Sequence, residues 1–380
     1  MSAIAPFQVM EVQRRALARE AEGHCVVHME IGQPDFAAPP QVVEAAVKAM
    51  REQRLEYSGA LGVPQLRERI ADFYATRFGV QIAPARIMVT AGASGAFLTA
   101  MGALINPGDE VLLADPSYPC TRHFVHMFEG KSRGLPVVAS QRYQPDAVQL
   151  DAAWTAATRG VALASPSNPT GTTIAAQTLA DIATLVKARG GFLLVDEIYQ
   201  GLVYGHAPTT ALAISDDCLV INSFSKYFCM TGWRLGWLIA SEAQIAEMER
   251  FAQNAFICPS VPAQYAALAA FEPETLAVLE ERRQAFERRR DLLVPALREM
   301  GFGVPILPDG AFYVYADCRR FSDDSRAFAM RLLEEADVAA TPGCDFGTHE
   351  AEHHVRFAYT RSMAELQEGI ERLARFVARI

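Results

Sequence analysis

The central two thirds of the chain alternate short apolar or β-branched runs with helix-length amphipathic stretches, and no other property of the sequence narrows the possible folds as much. Parallel strands need long crossover connections, usually helices, so this alternation points to a largely parallel sheet wrapped by helices. The spacing predicts strands over 86–90, 110–114, 161–165, 192–195, 219–222 and 235–240, with helices near 94–105, 118–128, 175–188 and 242–254. The strand segments are unbroken apolar runs, as expected where both faces are buried. Beyond them the pattern predicts a long polar helix from 274 to about 300, a strand at 310–316, a helix at 325–336 and a strand at 354–359. Ser362 followed three residues later by Glu365 marks a capping box. Met363, Leu366, Ile370, Leu373, Val377 and Ile380 then recur at steps of three and four as a core-facing stripe.

At 380 residues the chain is long enough for about two domains. No internal repeat, low-complexity tract or Pro-rich linker separates them, so the domains are expected to interleave. The expected fold class is α/β: a large domain with a mixed, mostly parallel sheet flanked by helices over 45–285, and a smaller α+β domain made from 286–380 with the N-terminal segment 1–44. Hydrophobic residues at 51% and charged ones at 21% are the composition of an ordered globular protein. The net charge of −9 repels phosphate backbones and anionic lipid, so neither nucleic acid nor membrane is an expected partner. The most basic segment, Glu287 to Arg290, reads as a solvated helix face. The seven cysteines are odd in number and scattered, without a C-x-x-C pair or a His at metal-ligand spacing, and Met1 to Pro6 lead directly towards Glu11 without the features of a signal peptide. A cytoplasmic protein without a metal site is the expectation. The stretch 87–107 carries no charge and is long enough to cross a membrane, yet Thr90, Ser94, Asn106 and glycines 92, 95 and 102 interrupt it. It reads as a buried strand, a glycine turn and a buried helix.

The segment with the most chemistry follows a buried strand: Ser223-Phe-Ser225-Lys226-Tyr-Phe-Cys-Met-Thr-Gly-Trp-Arg234-Leu-Gly236. Burial works against an ammonium charge, and an amine with a depressed pKa is a nucleophile and a Schiff-base former. Lys226 alone could be a loop lysine reaching solvent. With the hydroxyls of Ser223 and Ser225 and the fork of Arg234, it implies a carbonyl cofactor that carries a phosphate. Val195-Asp196-Glu197-Ile198-Tyr199 places carboxylates at a strand end, where open α/β sheets hold ligands. A protonated ring nitrogen would partner one of them, although Asp196 or Glu197 could equally cap the next segment. Ser165-Pro-Ser-Asn168-Pro-Thr-Gly171 ends another strand and aims Asn168 into the same crevice. Thr90-Ala-Gly-Ala93-Ser94-Gly95 leaves a strand and opens a helix, which makes an anion site of backbone N–H groups. It matches neither a Walker A loop nor a G-x-G-x-x-G turn. Tyr118, after the next strand, offers a face for a planar ring.

In this order the residues resemble those of the class I/II pyridoxal-phosphate-dependent aminotransferases, in the fold-type I, aspartate aminotransferase superfamily. The resemblance runs from Ile31-Gly32-Gln-Pro-Asp-Phe36 to Val355-Arg356-Phe357. It implies pyridoxal 5′-phosphate as cofactor and an amino acid and a 2-oxo acid as substrates. Lys226 would hold the cofactor as a Schiff base and shuttle the proton, Asp196 would pair with the ring nitrogen, and Asn168 and Tyr199 would bond the ring's phenolic oxygen. Tyr118 would stack on the ring, and Ala93, Ser94, Ser223, Ser225 and Arg234 would hold the phosphate. Arg356, with Asn168 and the Gly32 backbone, would clamp the substrate carboxylate. Tyr57, in Tyr57-Ser58-Gly59, resembles the tyrosine that reaches a partner's phosphate, which implies a homodimer. At 229 this chain has Cys where the family usually has a small or aliphatic residue. Some aspartate-active members carry lysine at the position of Ser94; its absence favours a neutral donor such as alanine over a dicarboxylate. The same scaffold also supports C–S β-lyases, an alternative outcome on the same cofactor, and an aspartate-preferring aminotransferase remains open.

Overall fold

The computed structural model describes residues 6–52 and 55–380, so the first five residues of the N-terminal reading lie outside the described residues. The chain begins with α1 (Gln8–Ala21), β1 (Val27–His28), α2 (Pro40–Glu52) and α3 (Pro64–Phe78). The alternating region follows as β2 (Ile87–Thr90), α4 (Gly92–Leu104), β3 (Glu110–Asp115), α5 (Pro119–Met127), β4 (Lys131–Pro136), α6 (Ala147–Ala153), β5 (Thr158–Ala164) and α7 (Ala176–Ala188). It continues as β6 (Phe192–Asp196), β7 (Leu219–Ser223), β8 (Gly236–Ile239), α8 (Glu242–Ala255) and α9 (Val261–Leu268). The remainder is α10 (Pro273–Met300), β9 (Tyr313–Asp317), α11 (Ser325–Ala336), β10 (Val338–Ala339), β11 (Thr341–Pro342), β12 (His354–Ala358) and α12 (Met363–Val377).

Seven strands form the main sheet in the order β2-β8-β7-β6-β5-β3-β4. The β3, β4, β5, β6 and β7 pairings are parallel, whereas β8 runs antiparallel to both β7 and β2. The sheet is therefore mixed and mostly parallel, as expected. Because β2 is antiparallel to β8, it points the same way as β7. The C-terminal ends of β2, β3, β5, β6 and β7 consequently open onto one edge. Both faces of the sheet are covered: Val89, Val161, Val195 and Trp237 join one core, and Leu113, Ile221, Leu238 and Met248 another.

A three-stranded antiparallel sheet, β11-β12-β9, lies in the C-terminal third. The N-terminal segment joins it: β1 pairs parallel with β10, and Val12, Ala16 and Val26 cluster with Leu333 and Ala339. The expected boundary between 285 and 286 falls inside α10, a single helix of 28 residues closed by Gly301 at φ 100.

Three expectations change in detail. β4 was not anticipated, because its sequence, Lys-Ser-Arg-Gly-Leu-Pro, buries only Leu135 and lies at the sheet edge, where an apolar run is unnecessary. Glu287 to Arg290 is not a solvated face. Arg289 and Arg290 are buried, the first in a two-pronged pair with Asp35 at 2.7 and 2.8 Å, the second donating to the Pro308 carbonyl at 2.9 Å. The α12 stripe buries Leu366 and Leu373, but Met363 and Ile380 at its ends are exposed. The capping box forms as read, with Ser362 Oγ accepting from Glu365 N and Glu365 Oε2 accepting from Ser362 N.

Candidate active site

β7 ends at Ser223, so Ser225 and Lys226 emerge at the sheet edge, Ser225 buried and Lys226 half-buried. Lys226 Nζ donates to the Gly32 carbonyl at 2.6 Å. Burial, with the positive charges of Arg356 and Arg234, pulls its pKa down to about 8, against an opposing pull from Asp196. Asp196 closes the neighbouring strand β6. Its Oδ1 accepts the Ile198 N–H at 3.0 Å, so it does cap the next segment, and burial raises its pKa to about 7 against the effects of that bond and of Lys226. The adjacent Glu197 turns the other way, accepting from Thr210 Oγ1 and Ala211 N.

Next to Lys226 lies the start of α4. Gly92 has φ +70, and a Cβ there would sit 2.8 Å from Arg234 Nη2, so only glycine lets the guanidinium come against the helix N-terminus. A Cβ on Gly236 would meet backbone atoms of Gly92 and Ala93 at 2.9 and 3.0 Å, which explains how tightly β8 packs on that turn. Ser223 Oγ lies 3.0 Å from the Leu235 carbonyl and 2.9 Å from Ser225 Oγ. It also accepts the Ser225 N–H. Thr231 Oγ1 donates to the Ser225 carbonyl at 2.9 Å, and Arg234 Nη1 to the Thr231 carbonyl at 3.0 Å. Backbone N–H groups, a hydroxyl and a guanidinium thus converge on one point.

The opposite end of the cavity belongs to Arg356, 2% exposed on β12. Its Nη1 donates to Asn168 Oδ1 at 2.9 Å, and its Nη2 to the Glu30 carbonyl and, at 3.2 Å, to Thr341 Oγ1. Its Nε is buried without a partner among the described residues. The guanidinium lies 4.2 Å from the centre of the Tyr313 ring and 4.8 Å from that of Phe346. The Tyr313 and Tyr199 hydroxyls are 2.7 Å apart.

A cavity of about 280 Å³ joins the two ends. Around it the structure brings together Gly32, Ala93, Ser94, Tyr118, Asn168, Asp196, Tyr199, Ser225, Lys226, Arg234 and Arg356. Ser223 stands behind Ser225 rather than on the wall. Tyr57 is 82% exposed and does not line the cavity. The sequence reading missed Tyr313 and Thr231, and also the apolar group Phe7, Met10, Ile31, Phe97 and Phe124. Thr231 lies within the lysine–arginine segment and was within reach. Tyr313 is one apolar strand position among several, and nothing local marks it.

Residues 25–373 match the family described as aminotransferase class I and II. The chain belongs to that family. It is 40% identical over 372 residues to the valine–pyruvate aminotransferase of Mycobacterium tuberculosis, covering 97% of this chain and 96% of that one. It is 33% identical to an aspartate aminotransferase of Thermotoga maritima, covering 99% and 98%. The crystal structure of an aminotransferase from Mycobacterium tuberculosis superposes with a TM-score of 0.97 at 39% identity, covering 100% of this chain and 98% of that one.

The protein is therefore an aminotransferase, and the cofactor of its family is pyridoxal 5′-phosphate. The site's donor set fits that cofactor. A buried amine, a buried carboxylate and a cradle around Gly92 that a Cβ would fill match an aldehyde, a ring N–H and a phosphate. The unpartnered Arg356 Nε is a donor still to be used by a carboxylate. Among the described residues, no helix is long and apolar enough to cross a membrane.

Proposed function

We propose that this aminotransferase moves an amino group between a neutral, apolar amino acid and a 2-oxo acid, in the two half-reactions of a ping-pong cycle. The observation that carries this reading is the charge of the cavity wall. Among the described residues its cations are Lys226, Arg234 and Arg356: one for the aldehyde, one for the phosphate and one for the α-carboxylate. None is left for a second carboxylate, Ser94 standing where some aspartate-active relatives have lysine. Phe7, Met10, Ile31, Phe97 and Phe124 supply apolar wall instead. The likeness to a valine–pyruvate aminotransferase supports the same donor class.

Pyridoxal phosphate, when bound, supplies an aldehyde that bonds amines and a protonated ring that draws electrons from the substrate Cα. The chain's residues do the rest. Lys226 is the amine that would hold the cofactor, and its Nζ, when neutral, would serve as the general base for the substrate Cα proton. Asp196, ionised against the ring N–H, keeps that proton in place. Asn168 and Tyr199 would hold the cofactor's phenolic oxygen, and Tyr118 would lie against its ring. The Ala93 and Ser94 N–H groups, Ser225 and Arg234 hold the phosphate, with Ser223 fixing Ser225. Arg356 orients the substrate through its carboxylate. Tyr57, exposed in the single chain, reaches the phosphate of a second copy in a homodimer. The large lobe, 45–285, then faces a small lobe of 286–380 and 1–44. Free thiols, two of them exposed at Cys25 and Cys344, suit the cytoplasm.

A panel of donors against pyruvate and 2-oxoglutarate tests the proposal. Valine, alanine or another apolar donor should exceed aspartate and glutamate in kcat/KM by about tenfold or more, the scale of one unmatched charge. Aspartate as the best donor would overturn the neutral-donor reading. Sustained release of pyruvate and ammonia from an S-substituted cysteine, with no acceptor present, would make the protein a lyase.

A further inference from the structure

A second cavity, of about 560 Å³, lies outside the aminotransferase site, and Tyr315 is on its wall. Tyr315 is 4% exposed, and its hydroxyl has no hydrogen-bond partner among the described residues. A buried hydroxyl left unmatched costs stability, so such a group signals a missing partner. His349 Nε2, on the same wall, is also buried and unpartnered. The rest of the lining is mainly apolar, including Val137, Val138, Val304 and Pro305.

The charges of the cavity are unequally available. Arg319 is taken up by Asp317 at 2.6 Å and Glu350 at 3.2 Å. Arg298 spends only its Nε, on the Val304 carbonyl at 2.8 Å; among the described residues its Nη groups make no hydrogen bond or ion pair. The wall of the cavity thus holds an open guanidinium, a buried phenolic hydroxyl and a buried ring nitrogen among apolar residues, with the Asp317 and Glu350 carboxylates engaged by Arg319.

We infer that this cavity binds a small carboxylic acid with an apolar chain, the Arg298 Nη groups and the Tyr315 hydroxyl taking the carboxylate and the valines and Pro305 the chain. Its connection to the active site is short. Tyr315 pairs with Arg356 in the β9–β12 register, and Phe346 touches both, 6.2 Å from the Tyr315 ring centre and 4.8 Å from the Arg356 guanidinium. Pro116, also on the second cavity, precedes Tyr118 of the first by two residues. An acid bound here bears on the arginine that clamps the substrate carboxylate. By linkage, saturating substrate changes the acid's affinity by the same factor as the acid changes the substrate's.

The probe is 3-methylbutanoate, which has neither an amino nor an oxo group and cannot turn over. Calorimetric titration of the holoenzyme should show two acids bound per chain. One is lost in Arg356→Ala. The other is weakened about tenfold or more by Tyr315→Phe and by Arg298→Met, each of which keeps the cofactor's visible absorbance. Arg298 is exposed, so its replacement leaves the fold intact. One acid or none per chain, with no response to Tyr315→Phe or Arg298→Met, overturns the inference. The titration reads binding rather than turnover, so it stands or falls apart from the donor preference.

Discussion

Lys226 is the residue on which the proposed chemistry turns, and its environment makes a pH prediction. A lysine pKa lowered to about 8 leaves the amine neutral, and therefore nucleophilic, from about that pH upward. The rate at which cofactor-free protein captures pyridoxal phosphate should rise about tenfold per pH unit up to about 8 and then level off. A rate still climbing near pH 10 would show an ordinary lysine. At the other end of the cavity, Arg356→Lys replaces a fork with a point charge and leaves Asn168 Oδ1 without its donor. Steady-state kinetics should show kcat/KM for the donor falling about ten- to a hundredfold, with visible absorbance unchanged. Lys226 and Arg234 stood out because an amine, two hydroxyls and a guanidinium share one segment, whereas Asp196 read equally well as a cap and Arg356 entered only through the family resemblance. Tyr313 was illegible because its role depends on what faces it, the Tyr199 hydroxyl and Arg356, which only the folded chain brings near.

At the scale of elements, the junction of β2, α4 and β8 is the proposed phosphate site. Gly92→Ala places a Cβ on a residue at φ +70 and against the Arg234 guanidinium. The cofactor's dissociation constant, measured by equilibrium dialysis, should rise about tenfold or more as Arg234 is displaced from the helix N-terminus. An unchanged constant would mean that the cradle is not the phosphate site. Strands with apolar runs on both faces, such as Phe192–Asp196 and Leu219–Ser223, announced themselves. The edge strand Lys131–Pro136 did not, since water satisfies one side of it and its composition is free to be polar. Arg289 and Arg290 misled for a related reason: helical periodicity reports which residues are charged, not whether the Asp35 carboxylate or a carbonyl awaits them.

For the whole molecule, alternation predicted the layered sheet and the lack of a linker an interleaved N-terminal segment, while the strand pairing that carries this segment to the C-terminal third is encoded by no local pattern. Val27 and His28 supply only two residues to that ladder. A second copy is the remaining large-scale proposal. If Tyr57 completes the neighbouring site, sedimentation should give a dimer, and Tyr57→Phe should weaken cofactor binding by about tenfold without dissociating it. A monomer that retains full cofactor affinity would remove the partner from the account.

The central claim is that the cavity around Lys226 takes an amino group from a neutral donor and holds it for an acceptor. It is tested most directly by mixing holoenzyme with excess alanine and no 2-oxo acid, then measuring pyruvate and ammonia. The account predicts one pyruvate per chain, no free ammonia, and none of either from Lys226→Ala. No pyruvate from the wild-type protein, or the same yield from Lys226→Ala, would contradict it.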